Sequence, residues 1–159
     1  MATDNLISKI KNRESGIVLY GITPPKKGTD EEKIIEISAR QVERLQNLSV
    51  DGLVLYDIQD EKSRTEEERP FPFMETLDCY DYSQQHLTAL KIPKIIYRAV
   101  GKYSAAELSD FLTQADPAEN LSIFVGAASK SQEVTLSIND AYKIKAHTQS
   151  DVLLGGVVI

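Results

Sequence analysis

The residues of this chain that can do chemistry stand at the ends of apolar runs. Asp57 follows Leu53-Val54-Leu55-Tyr56, with Gln59 and Asp60 just beyond it. An ionised carboxylate at the end of a buried strand is costly unless paired. Asp57 can therefore serve a ligand site, cap the following loop, or pair with Arg98. Arg98 closes the run Ile95-Ile96-Tyr97, and its planar fork suits a phosphate or a carboxylate. An ion pair with a strand-end acid would satisfy it equally well. Gly126-Ala127-Ala128-Ser129 is a small-residue turn. Its exposed amides can meet an anion, or it can simply be a tight turn. Lys26 and Lys27 can attract an anion, although a solvated lysine pair is the simpler reading. Phe71 and Phe73 can flank a planar ring, although packing of their loop onto the core is simpler.

Other chemistries lack their residues. His86 and His147 are far apart and have no cysteine or histidine at metal-ligand spacing. Cys79 is the single cysteine, so no internal disulfide can form. Its neighbours Asp78 and Asp81 raise its thiol pKa rather than activate it. There is no Ser-His-Asp arrangement, no GxGxxG loop and no Walker motif.

The elements that must position these residues are strands alternating with helices. Residues 16–22 form a short apolar run that predicts a fully buried strand, ended by Pro24-Pro25, which cannot donate ladder hydrogen bonds. The loop from Gly21 to Lys27 then becomes the first wall of a binding site, because ligands gather beyond the carboxyl ends of such strands. Thr29 and Glu32 fit a capping box for a helix carrying Ile34, Ile37, Val42, Leu45 and Leu48 on one face. Leu53 to Tyr56 is a second strand. Residues 57–80 have no clear period, and a loop of that length in a compact domain is usually functional or disordered. A helix over 82–90 leads to a third strand, 92–98. Ser104 and Glu107 cap a helix with Leu108, Phe111 and Leu112 on its inner face. A fourth strand, 121–125, a helix capped by Ser137 and a fifth strand, 152–159, complete the order. A short amphipathic helix precedes everything, with Leu6, Ile7 and Ile10 on one side.

Strand and helix repeated four times, then a strand, predicts an α/β fold with a parallel sheet. A closed eight-stranded barrel takes about 250 residues. The 159 residues here fit either the first half of a (β/α)8 TIM-type barrel or an open flavodoxin-like sheet. An isolated half barrel exposes two strand edges, which predicts dimerisation or an edge covered by the N-terminal helix.

Bulk composition narrows the function classes. The chain is long enough for one domain, and a hydrophobic content of 42% suits a globular protein. A formal net charge of -6 argues against non-specific nucleic-acid binding. Residues 1–13 do not resemble a signal peptide, and no apolar run approaches the roughly 20 residues of a membrane span. The expected location is the cytoplasm.

Four motifs carry a resemblance. Gly21-Ile22-Thr23-Pro24-Pro25-Lys26, Leu55-Tyr56-Asp57-Ile58-Gln59, Ser63-Arg64-Thr65 and Phe124-Val125-Gly126-Ala127-Ala128-Ser129 stand in an order and spacing similar to the methylenetetrahydrofolate reductase family. The chain resembles the N-terminal half of that family's barrel, in a divergent branch. The resemblance implies FAD lying across the strand ends, reduced by NADH or NADPH, with hydride passing to a folate substrate. The cofactor would carry the electrons while the protein positions it. It implies a place in one-carbon metabolism and methionine biosynthesis. It also implies cofactor contacts from Gln59, Arg64, Tyr97, Arg98, Gly126, Ala127 and Ser129.

The chain departs from the family at charged positions. The family's proton-donating glutamate, three residues before the first proline, corresponds to Gly21. Asp57 is then the residue expected to donate the proton. The family's Arg-Gly-Asp turn corresponds to Val125-Gly126-Ala127, so only the glycine remains. Two functions follow as expectations. One is a flavin-dependent oxidoreductase, and the other is a barrel-type folate- or flavin-binding protein without reductase chemistry.

Overall fold

The computed structural model describes residues 5–60, 62, 66–127 and 132–158. The order is α1 (Leu6–Lys11), β1 (Leu19–Ile22), α2 (Glu31–Leu45), β2 (Gly52–Leu55), α3 (Cys79–His86), β3 (Lys94–Ala99), α4 (Ala105–Gln114), β4 (Asn120–Val125), α5 (Ile138–Thr148) and β5 (Leu153–Gly156). A single 3-10 turn, Val100–Lys102, links β3 to α4.

All five strands are parallel, and their spatial order is β1-β2-β3-β4-β5. A flavodoxin-like sheet reverses direction once. This one never does. It is wound as half of a barrel is wound, and it stays open between β1 and β5. The register runs level across the sheet, with Gly21 opposite Val54 and Val54 opposite Ile95.

Successive strand residues point to opposite faces, and the two faces have different covers. Leu53, Leu55, Ile96, Phe124 and Val152 face α2 to α5 and form the larger core with Leu45, Tyr82, Leu108 and Phe111. Val54, Ile95 and Leu121 face the concave side, where Leu6 and Ile7 of α1 cover them. Asn5 caps α1 by accepting from the Ser8 amide at 3.0 Å. Asp51 anchors this end by binding the Lys9 ammonium at 2.6 Å and accepting from the Val18 amide at 2.8 Å. Helix α1 thus closes the N-terminal end of the concave face, and the other end stays open.

Several local expectations change. The strand β1 is not buried but an edge strand, because among the described residues it pairs with β2 alone. Thr29 does not cap α2. Its hydroxyl donates to the Lys26 carbonyl at 2.6 Å across a turn through Gly28 (φ +83°), and Asp30 becomes the N-cap residue. Helix α3 starts earlier than expected, because Asp78 caps it through the Asp81 amide at 2.9 Å. The box at Ser104 and Glu107 forms with both of its hydrogen bonds. Phe71 does not pack on the core; it is exposed, and Arg69 lies over the half-exposed Phe73 ring at 5.4 Å. No helix of the described residues is long and apolar enough to cross a membrane.

Candidate functional site

A cavity of about 620 Å³ opens where β2 to β5 end. The alternation of the strands selects its floor. Tyr56 and Tyr97 continue the concave face above Val54 and Ile95, while Leu55 and Arg98 turn to the helices. The two tyrosine rings meet edge to face with centroids 5.0 Å apart. This arrangement is favourable for aromatic quadrupoles. Much of the rest of the wall is small or apolar, including Ala99, Val125, Gly126, Ala127 and Gly156, while Asp57, Gln59 and Tyr142 add polar groups. The Gln59 side-chain carbonyl accepts from the Gln132 amide at 2.9 Å. Burial first, and Tyr56 second, raise the Tyr97 phenol above its usual range.

The tyrosine floor depends on Gly21. A methyl group at position 21 would lie 2.6 Å from a Tyr56 ring carbon and 3.2 Å from its hydroxyl. The φ angle of Gly21 is not positive, so its backbone does not demand glycine. The neighbouring ring would have to move before any side chain could stand there. Gly126 differs, because a methyl there would meet Ile138 at an ordinary 3.6 Å.

Asp57 sits beneath the cavity with its side chain only 1% exposed. One carboxylate oxygen binds the Lys102 ammonium at 2.6 Å. The other accepts from the Ala99 amide at 2.8 Å and from the Tyr103 hydroxyl at 2.9 Å. Lys102 also donates to the Ile58 carbonyl at 3.2 Å. The carboxylate therefore ties the end of β2 to the end of β3 and to the turn before α4. Asp57 does not pair with Arg98.

Arg98 belongs to the opposite face of the sheet from Tyr97, so the two cannot line one cavity. Arg98 is 3% exposed, and its guanidinium lies over the Phe111 ring at 4.0 Å and the Tyr103 ring at 4.7 Å. It donates to Asp78. Burial pushes the Asp78 carboxyl up, but the Arg98 charge and the Asp81 amide outweigh it and hold it below the ordinary value. A second cavity, of about 390 Å³, lies on this helix side between α3 and α4 and is bordered by Arg98, Lys102, Lys27 and Asp81. Lys26 and Lys27 are both exposed, as a solvated pair would be, and Lys27 also has a partner in Glu75. Lys27 reaches it at 3.5 Å, and its amide donates to the Glu75 carbonyl at 2.8 Å.

The structure thus brings Gln59, Tyr97, Gly126 and Ala127 to one cavity and puts Arg98 behind the sheet. Arg64 and Ser129 lie outside the described residues. Sequence reasoning missed Tyr56, Lys102 and Tyr103. Tyr56 could have been found from strand alternation with Tyr97 once the register was known. Lys102 ends a 3-10 turn that no periodicity announces, and Tyr103 follows it. Among the described residues no group of three or more His, Cys, Asp or Glu could hold a metal ion.

No family model matches the chain, and no curated protein matches it. A solved structure does. The chain is similar to an uncharacterized protein from Clostridium thermocellum that binds two copies of 5-methyl-5,6,7,8-tetrahydrofolic acid, with 48% identity and a TM-score of 0.78. The similarity covers 95% of this chain and 47% of that one, so this chain spans about half the length of that protein.

Proposed function

We propose that this chain provides a binding site for a reduced folate at the C-terminal ends of β2 to β5. The observation that carries the reading is the 48% identity, across 95% of the chain, with a protein that binds 5-methyl-5,6,7,8-tetrahydrofolic acid. The cavity chemistry supports it. A pteridine ring is broad, largely apolar on its faces and polar along its edge. Tyr56 and Tyr97 offer ring surface and hydroxyls, Gln59 offers an amide, and the small residues at 126 and 127 leave room for a ring to approach the backbone. Sites of this kind pair apolar walls with a few polar groups.

The cavity fits a flavin dinucleotide poorly. Its described lining contains no Lys or Arg to meet a pyrophosphate, and the nearby cations Arg98 and Lys102 are held by Asp78 and Asp57. Gly21, Val125 and Ala127 supply neither an acid nor a cation. The reading is therefore folate binding without flavin-dependent reduction, in which Asp57 acts as a positioning residue through Lys102, Tyr103 and the Ala99 amide. A second reading is a methylenetetrahydrofolate reductase-like oxidoreductase that uses FAD and NADH or NADPH in one-carbon metabolism. The ordered strand-end motifs favour it.

Calorimetric titration of the full-length protein with 5-methyltetrahydrofolate, alongside its visible spectrum with and without added FAD, tests both. Saturable folate binding without a flavin spectrum is the expected result. A bound flavin that NADH or NADPH bleaches would replace the first reading by the second. Absence of folate binding would reject the first.

A further inference from the structure

We infer that Gly21 and Tyr56 act together as a specificity element: the missing side chain at position 21 seats the Tyr56 ring, and the seated ring is the wall that holds a reduced pteridine ring. This inference rests on the folate-binding reading and adds the residues that would shape the ring site.

Three observations carry it. First, the contact is tight and specific. A single added carbon at position 21 would sit 2.6 Å from Tyr56, which no real contact tolerates, while the backbone there accepts any residue. Second, Tyr56 is 41% exposed although it leans on a glycine and on the Tyr97 edge. A large aromatic surface is therefore presented to the cavity rather than used up in the core. Third, among the described residues the Tyr56 and Tyr97 hydroxyls have no hydrogen-bond partner, so both remain available to the polar edge of a ligand. Aromatic surface with a free hydroxyl at the rim is the combination that orients a flat heterocycle.

The half-exposure of Tyr56 also makes the idea testable without unfolding the protein. In Gly21→Ala the ring can swing toward solvent, so the fold survives while the wall is lost. In the full-length protein, titrated with 5-methyltetrahydrofolate, Tyr56→Ala is expected to weaken binding about tenfold and Gly21→Ala by a similar factor. Tyr56→Phe keeps the ring and stays within about threefold of the parent. The double variant Gly21→Ala/Tyr56→Ala binds no more weakly than Tyr56→Ala alone, because both changes remove the same wall. Melting temperatures, recorded in parallel, separate loss of the wall from loss of the fold.

Additive losses in the double variant would overturn the coupling of the two residues. Tyr56→Phe as weak as Tyr56→Ala would overturn the part given to the ring. Parent-like affinity in both single variants would overturn the inference and leave the folate-binding reading standing. A parent protein that binds no folate rejects both together.

Discussion

The Lys102 ammonium and the Asp57 carboxylate meet at 2.6 Å, with both side chains nearly buried, at 11% and 1% exposure. This pair joins the end of β2 to the turn that follows β3, directly under the tyrosine floor. Removing one partner of a buried pair leaves the other charge uncompensated. Asp57→Ala is therefore expected to lower stability by about 3–5 kcal/mol, read as a shift of the urea midpoint. Lys102→Met in the same chain should recover part of the loss, because it removes a nearly buried ammonium left, among the described residues, with only the Glu75 carboxylate 3.6 Å away as counter-charge. A loss under about 1 kcal/mol would mean that water already reaches the pair.

The Asp78–Arg98 pair makes a prediction about acid. The folded-state pKa of Asp78 lies below its unfolded value, so the unfolded chain takes up this proton first as pH falls. The stabilisation is complete above the unfolded value, roughly pH 4, and is lost as pH falls through the folded value. Urea melts from pH 7 to pH 2.5 should show a shallower acid limb for Asp78→Asn than for the parent. An unchanged limb would assign the acid sensitivity to other carboxylates.

Cys79 is fully buried, and its thiol is pushed well above its usual range, first by burial and then by the Asp57 charge. Thiolate is the reactive form. The native protein is expected to resist a thiol reagent at pH 8, and full reaction should follow only in denaturant. Rapid reaction of the native chain would show that α3 opens readily from its Asp78 cap.

Gly52 predicts how α1 is held. A methyl at that position would lie 2.5 Å from the buried Leu6 side chain and 3.2 Å from the Pro93 carbonyl. Overpacking of this kind typically costs about 1–3 kcal/mol. Gly52→Ala should lower the melting temperature and increase amide exchange in residues 6–11 before the rest of the sheet. Uniform exchange across the chain would mean that α1 is not a separable cover.

Composition and pattern alone determined the α/β class. Short apolar runs alternating with capped amphipathic segments can bury their faces only as parallel strands crossed over by helices, as at Leu53 to Leu55 and at the Ser104–Glu107 box. Local signals also placed Gln59, Gly126 and Ala127 beyond strand ends, where the cavity opens. Tertiary structure decided the rest. Strand order is a matter of which edges meet, and only the fold shows that the sheet never reverses. Adjacent residues on a strand look alike in sequence but face opposite ways, so Tyr97 lines the cavity while Arg98 is buried behind it. Lys102, 45 residues from Asp57, became its partner only when β3 was laid beside β2. Gly21 read as the loss of a charged group, and only the fold shows that the ring of Tyr56, across the strand pair, occupies the space a side chain there would take.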